Sequence, residues 1–301
     1  MQLRLLEYFV ILAQEKHFAR AAAACSVTQP ALSAGLSSLE DLLGKRLVDR
    51  DRRFVALTPD GEAILPWAQQ VVAMIDGLHQ AVESDGSSLR GDLRLGAIPA
   101  SMPVIGVLVQ ALRAGHADLT VSVRSLTSRE IERGLAAFEL DAGVTYLDHE
   151  PPAQVVSVPL YAERSVFLKS AADPSNRAGV ISVDEALSHP LCLLHAGMQN
   201  RRILDGHLAG RGLAAHPCAT ADSYTALMAM VESGTCASIV PDAYARLLPT
   251  ERWARVLKFT DPLPPSRIGL IISDRSPTSR MAKTAILAAR NLVLPSVFSP
   301  V

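Results

Sequence analysis

The chain is predicted to be an α/β protein with an N-terminal winged helix-turn-helix, a long connecting helix and a larger α/β domain. Three observations predict it. At ~100–200 residues per domain, 301 residues suggest about two domains, and 49% hydrophobic with 20% charged residues supply ample apolar material for packed cores. Residues 1–58 hold three short helical patterns followed by a basic hairpin. Beyond Ser84-Asp85-Gly86-Ser87-Ser88 the pattern changes to strands alternating with helices. This composition excludes a disordered or collagen-like chain. With 29 Lys+Arg against 30 Asp+Glu the net charge is -1, so any nucleic acid must be met by a local patch.

Leu3, Leu6, Phe9, Val10 and Ala13 follow the i, i+3, i+4, i+7 spacing of an amphipathic helix over residues 3–14. A short Ala-rich helix runs from Phe18 to Ala24 and closes at Cys25-Ser26-Val27. Thr28 then caps a third helix, with Pro30 tolerated in its first turn, that extends to Leu43. Leu32, Leu36, Leu39 and Leu43 form its buried stripe, while Gln29, Ser33 and Ser37 share another face. Leu47-Val48 and Phe54 to Leu57 form two short strands around Asp51-Arg52-Arg53. Residues 1–58 contain eight Lys/Arg and six Asp/Glu, and four of the eight are Arg46, Arg50, Arg52 and Arg53. Two helices joined by a tight turn and followed by a basic wing suit double-stranded DNA. The helix opening at Thr28 is expected in the major groove, with Gln29 and Ser33 near base edges and the wing on phosphates. The plainer alternative leaves Gln29 and Ser33 on a solvated face and Arg52 and Arg53 in a turn with no partner.

These residues resemble the LysR-type transcriptional regulators. The resemblance runs through Phe9, His17 to Ala22, Val27-Thr28-Gln29-Pro30-Ala31-Leu32-Ser33, Leu39-Glu40, Leu43-Gly44, Leu47, Arg50 and Leu57-Thr58-Pro59-Asp60-Gly61. It departs at Ala34-Gly35, where the family commonly carries a longer polar or basic residue, so base readout is expected to be thinner there.

Thr58 caps and Pro59 starts a further helix in which Ile64, Ala68, Val71, Ile75, Leu78 and Val82 are spaced as a heptad seam. A helix over residues 59–83 would span ~37 Å at ~1.5 Å per residue, and its stripe needs a partner. A second copy is the simplest one; packing on the chain's own second domain is the alternative, and Pro66 interrupts the hydrogen bonding. The resemblance implies a linker helix used for dimerisation, and beyond that a tetramer. The expected division is 1–58 for DNA binding, 59–89 for the linker helix and hinge, and 90–301 for the second domain.

In that second domain Leu93–Ala97, Leu119–Val123, Leu140–Val144, Ser165–Leu168, Leu191–Leu194, Ala237–Val240 and Ile268–Ile272 read as strands of a largely parallel sheet. Ser182-x-x-Glu185 reads as a capping box, and Ser128, Asn200 and Ser223 as helix caps. Gly91 to Gly96, Leu140 to Val144 and Val231 to Pro241 look like the family's effector domain. That resemblance implies two lobes similar to a periplasmic solute-binding protein, about 91–161 with 267–301 and about 162–266. Ligands in such sheets bind where strands end and helices begin. Ala100, Ser101 and Met102, Thr127 and Ser128, Gln199 and Asn200, and Ser223 occupy such loops, and Arg201 or Arg202 can add charge. Hydroxyls, amides and helix N-termini favour a small polar effector, plausibly an anion; simple helix capping is the alternative for each residue.

Enzyme and metal chemistry find little support. Gly210-x-Gly212-x-x-Ala215 follows a helix rather than a strand, so it reads as a helix end and turn and not as a dinucleotide fingerprint. His189 and His195 face opposite to Cys192 on a strand, against a shared metal. The cysteines at 25, 192, 218 and 236 lie too far apart in sequence for a C-x2-C clip and read as reduced thiols. The start of the chain lacks the form of a signal peptide, and the longest apolar run, Met102 to Val109, is far short of the ~18 residues that cross a bilayer. The expectation is a cytoplasmic, effector-responsive transcription factor with no cofactor, no metal and no membrane partner, for which RNA polymerase is a possible contact. Its main rival is a small-molecule-binding protein without a DNA role.

Overall fold

The computed structural model of the chain describes residues 3–51, 54–82, 89–173, 179–247, 252–295 and 298. Two compact units, Met1–Ser87 and Ser88–Val301, are taken in turn.

In the first unit, α1 (Leu3–Glu15), α2 (Phe18–Ala24) and α3 (Gln29–Leu43) bury Leu6, Phe9, Leu12, Ala21, Leu32, Leu36 and Leu39 in one core. The turn between α2 and α3 is tied by Val27 N–H to the Ala22 carbonyl at 2.9 Å, with Ser26 at φ 54°. Glu40 on α3 accepts the backbone N–H groups of Leu47 and Val48 at 2.9 and 3.2 Å, which pins the hairpin of β1 (Val48–Asp51) and β2 (Phe54–Leu57) to the helices. The tip residues Arg52 and Arg53 lie outside the described residues, as do the side chains of Arg50 and Val82.

Helix α4 (Pro59–Val82) is continuous through Pro66. Its start explains the Thr58-Pro59-Asp60-Gly61 sequence. Thr58 Oγ1 accepts the Gly61 N–H at 3.0 Å and donates to the Arg46 carbonyl at 2.6 Å, and a Cβ on Gly61 would lie 2.1 Å from the Leu47 carbonyl oxygen. The expected seam is corrected in its first half. Ala68 is buried, and Ile64 and Val71 pack with it against the core formed by α1 to α3, so these three serve their own unit. Among the described residues of α4 the exposed large apolar side chains are Trp67 (70%), Met74 (53%) and Leu78 (62%); Leu78 belongs to the expected seam, and Trp67 and Met74 adjoin it. Ile75, also of the expected seam, is half-buried.

The second unit has two lobes. In one, a five-stranded sheet runs in the order β4 (Leu119–Ser125), β3 (Gly91–Ala97), β5 (Ala142–Tyr146), β13 (Ser266–Ser273), β6 (Val155–Glu163). Helices α5 (Met102–Arg113), α6 (Ser128–Ala136) and α11 (Arg280–Arg290) pack around it. In the other, β11 (Ser238–Pro241), β7 (Ser165–Ser170), β12 (Ala254–Phe259) and β8 (Val180–Ile181) form one sheet. A parallel pair, β9 (Cys192–Leu194) and β10 (Ala219–Ala221), abuts β11 through a bridge from Leu191 to Ala237. Helices α7 (Val183–Ser188), α8 (Gln199–Ala209), α9 (Tyr224–Glu232) and α10 (Asp242–Leu247) complete this lobe. The chain crosses between lobes twice, from β6 directly into β7 and from β12 into β13.

The largely parallel sheet is corrected to a mixed one. β3 pairs in parallel with β4 and β5, but β13 pairs antiparallel with both β5 and β6, and β7 pairs antiparallel with both β11 and β12. The crossover strands force this, because each lobe receives a strand from the other without an intervening helix.

Candidate DNA interface and effector cleft

Thr28 occupies the N-cap of α3 in extended backbone and accepts the Ala31 N–H at 3.4 Å, and Pro30 stands in the first turn. Thr28, Gln29 and Pro30 are exposed, and Ser33, one turn on, is half-buried. The chain's departure at Gly35 has a packing cause: a Cβ there would come within 2.7 Å of the Tyr8 ring on α1. Gly35 therefore faces the interior, and only exposed Ala34 shortens the outer face of the helix.

In the second unit a narrow cleft, open to solvent, lies between the lobes. Ile98, Pro99 and Ala100 after β3, Thr127 and Ser128 at the start of α6, and Tyr146 at the end of β5 line one wall. Leu194, Met198, Gln199 and Asn200, where β9 leads into α8, line the other. Hydrogen bonds cross it. Thr145 Oγ1 donates to Ser128 Oγ at 3.0 Å, Ser128 Oγ donates to Gln199 Oε1, and Gln199 Nε2 donates to the His149 carbonyl. Asn200 Nδ2 donates to the Tyr146 hydroxyl at 2.7 Å, and Tyr244 on α10 donates to the Pro99 carbonyl at 2.5 Å.

Behind this wall the Tyr146 hydroxyl and Asn200 Nδ2 both donate to Glu163 Oε1, at 2.9 and 3.0 Å. Burial pushes the Glu163 carboxyl up to about 8, with Asp242 adding to the rise against these two bonds. Burial likewise raises the phenols of Tyr146, Tyr161 and Tyr224 well above their ordinary range, each further raised by the Glu163 charge.

Comparison with known proteins gives two domain assignments that follow this division. Residues 3–62 match the family model described as bacterial regulatory helix-turn-helix protein, lysR family, and residues 86–292 match LysR substrate binding domain. The chain belongs to the LysR family. It is a LysR-type DNA-binding transcriptional regulator, and the family is one of regulators rather than enzymes. Among its relatives is a hydrogen peroxide-inducible genes activator of Haemophilus influenzae, 27% identical over 280 residues that cover 92% of each chain. A probable activator of the same name from Mycobacterium avium is 31% identical over 277 residues, 90% of this chain and 88% of that one. Full-length OxyR from Pseudomonas aeruginosa, solved with a cysteine replaced by aspartate, superposes with a TM-score of 0.79 at 27% identity, covering 99% of this chain and 96% of that one. CbnR, a LysR family regulator at 19% identity, shares the fold with a TM-score of 0.70, covering 98% of this chain and 100% of that one.

For this LysR-type regulator the structure separates the expected effector residues into two groups. Ala100, Thr127, Ser128, Gln199 and Asn200 line the cleft. Ser101, Met102, Arg201 and Ser223 do not. Ser101 is fully buried and donates to the Ile98 carbonyl at 2.9 Å, and half-buried Met102 packs on the core. Arg201 turns to Asp205 at 2.8 Å and to the Leu194 carbonyl at 3.2 Å, and Ser223 accepts the Ala226 N–H as the cap of α9. Two expected caps are also corrected. Thr127, not Ser128, caps α6 in a reciprocal pair with Glu130, which lowers that carboxyl; Asn200 lies inside α8, its amide turned to Tyr146. Ser182 accepts the Glu185 N–H at 3.1 Å and so caps α7, which is one half of the expected capping box.

Tyr146, Glu163 and the apolar lining Ile98, Leu194 and Met198 were not singled out from sequence. A glutamate two residues after Tyr161 within a strand, immediately before the chain changes lobes, is the one signal that points to this cluster. The thiols stand apart from the cleft. Cys192 and Cys236 are buried and hydrogen-bonded, with Cys192 pushed up to about 12 by burial and by Cys236.

Proposed function

We propose that this regulator reads DNA through α3 and the wing and is switched by a small molecule seated between the lobes of its second unit. Gln29 and Ser33 address base edges, Thr28 and Pro30 set the entry of the helix, and Arg50, Arg52 and Arg53 contact phosphate. Two copies associate through the exposed Trp67, Met74 and Leu78 stripe of α4, assemble further into the tetramer expected of the family, and act in the cytoplasm with RNA polymerase as a possible contact. The observation that supports an effector most is the cleft itself. Side chains from both lobes meet there through Gln199, so an occupant that replaces these bonds biases the lobes toward one arrangement.

The names of the relatives favour a second reading, a response to peroxide. Thiol oxidation proceeds through the thiolate. None of the four cysteines lines the cleft, and the buried Cys192 thiol is held neutral at physiological pH. These facts argue against Cys192 as a peroxide-sensing thiol; Cys218, which is exposed, is the thiol that a peroxide reaches.

DNase I footprinting on the DNA flanking the coding region distinguishes the readings. The expected result is a footprint whose extent changes with a metabolite that raises the melting temperature of the full chain, a change abolished by Ser128→Leu, which fills the cleft. A footprint that responds to peroxide and to no such metabolite overturns the effector reading.

A further inference from the structure

Three buried polar atoms beside the cleft have no hydrogen-bond partner among the described residues: the hydroxyls of Tyr161 and Tyr224, and Glu163 Oε2. Tyr161 and Glu163 stand two residues apart and so share a face of β6, and Tyr224 opens α9. Relative exposures of 2%, 5% and 1% leave them nothing from bulk water. The charge that acts on the carboxyl, Asp242, is also negative. Burying such groups without partners is costly, and the three are close enough for Glu163 to raise both phenols, so together they call for a partner that the described residues do not supply. This nest adjoins the cleft: Tyr146 and Asn200, which line the cleft, are the two residues that hold Glu163 Oε1.

Resting on the reading of the cleft as the effector site, we propose that Glu163, Tyr161 and Tyr224 form its head-group subsite and that the effector is a small protonated amine on an apolar body. An ammonium brings donors to the free carboxylate oxygen and to the phenolic oxygens, and tyrosine rings attract a cation. The nearby Asp242 charge, and Glu163 once ionised, disfavour an anion there, so this reading departs from the expectation of an anionic effector. Ile98, Pro99, Leu194 and Met198 supply the apolar surface for the body. Tyr146 belongs to one lobe and Asn200 to the other, so a head group that competes for Glu163 acts on bonds that join the lobes.

Three probes that share a body and differ in head test this on the full-length protein: cyclohexylmethylamine, cyclohexylmethanol and cyclohexanecarboxylate, by thermal shift and calorimetry at pH 7.5. The amine is expected to raise the melting temperature saturably and to bind at least tenfold more tightly than the alcohol, with no shift from the carboxylate. Calorimetry in buffers of different ionisation enthalpy should show a proton released on amine binding, because Glu163 becomes ionised. Glu163→Gln, which keeps an acceptor for Tyr146 and Asn200, should lose that tenfold preference and the proton release while still binding the alcohol. Equal binding of amine and alcohol, or an unchanged preference in Glu163→Gln, overturns the proposal and leaves the nest to ordered water. Tightest binding of the carboxylate also overturns it, and the cleft reading survives either result if Ser128→Leu abolishes binding. If no probe binds, the proposal fails; the cleft reading is decided separately by the footprint response.

Discussion

Asn200 on α8 donates its side-chain amide to Glu163 on β6 at 3.0 Å, so a hydrogen bond to a buried carboxyl joins the two lobes. The carboxyl holds its proton up to about 8, chiefly through burial, with Asp242 contributing and the bonds from Tyr146 and Asn200 opposing. In the unfolded chain a glutamate ionises near ~4.3. The native state therefore binds the proton more tightly, and its contribution is fully present below ~4.3 and is lost as pH rises through about 8. The unliganded wild-type melting temperature should fall across pH 5–9 more steeply than that of Glu163→Gln. The divergence by pH 9 should be on the order of 3–5 kcal/mol in stability. Parallel calorimetric profiles would show that Glu163 titrates normally.

Substitutions at the exposed and at the buried positions of α4 should have different effects. Met74→Glu with Leu78→Glu places charge on the exposed stripe and is expected to weaken self-association by about 2 kcal/mol or more while the first unit stays folded. Ala68→Glu places charge in the core beside Phe9 and Leu12 and is expected to unfold that unit. Sedimentation velocity and circular dichroism separate the cases. A double variant that remains as associated as the wild type would remove Met74 and Leu78 from the interface.

The linker helix illustrates what was legible in the sequence. Periodicity located α4 and its two ends, since Thr58, Pro59 and the apolar spacing all act within a few residues. It misassigned the partner, because Ile64, Ala68 and Val71 satisfy the same spacing whether they face a second copy or α1. The second unit shows the same limit. The starts of α6 and α8 were readable as sites for polar contact, but which side chain enters the cleft depends on tertiary competition. Ser101 found the Ile98 carbonyl, and Arg201 found Asp205. Glu163 was hidden because a charged residue in an apolar strand looks like an exposed edge position until the opposite lobe closes over it.

Gly61→Ala tests the close approach at the start of α4. The added Cβ meets the Leu47 carbonyl oxygen at 2.1 Å, and backbone rather than a flexible side chain must yield. The same carbonyl accepts the Thr58 N–H at 3.0 Å, so the shift disturbs the cap and the hairpin together. A loss of about 2–3 kcal/mol is expected in urea unfolding followed through Trp67 fluorescence. A loss below ~0.5 kcal/mol would show that the hairpin moves freely away from the helix.

Ser101→Ala should affect stability and not ligand affinity. Its hydroxyl is buried and bonded to the Ile98 carbonyl, which keeps the Ser101 N–H at 3.0 Å after the change. With the acceptor still satisfied, the cost should be about 1 kcal/mol. Dissociation constants for the cyclohexyl probes should be unchanged. A tenfold weakening would return Ser101 to the effector site.

Gln29→Ala tests the reading head itself. Gln29 is the first residue of α3 and is exposed, and its neighbour Thr28 is occupied with the Ala31 N–H, so the glutamine amide is free to address a base edge while the cap keeps its own bond. A glutamine amide can pair bidentately with adenine, worth about 1–3 kcal/mol of discrimination. The phosphate contacts proposed for the wing do not depend on it, so binding to unrelated DNA and the slope of log K against log salt should persist. The variant should therefore lose about five- to 150-fold in affinity for its operator, and at one operator base pair substituted singly it should lose the wild type's preference for the native pair. Mobility-shift titrations against the operator, singly substituted operators and unrelated DNA make this measurable. An equal loss on all of them would mean that Gln29 only supports the fold of α3, and base reading would have to be assigned to Ser33 or the wing.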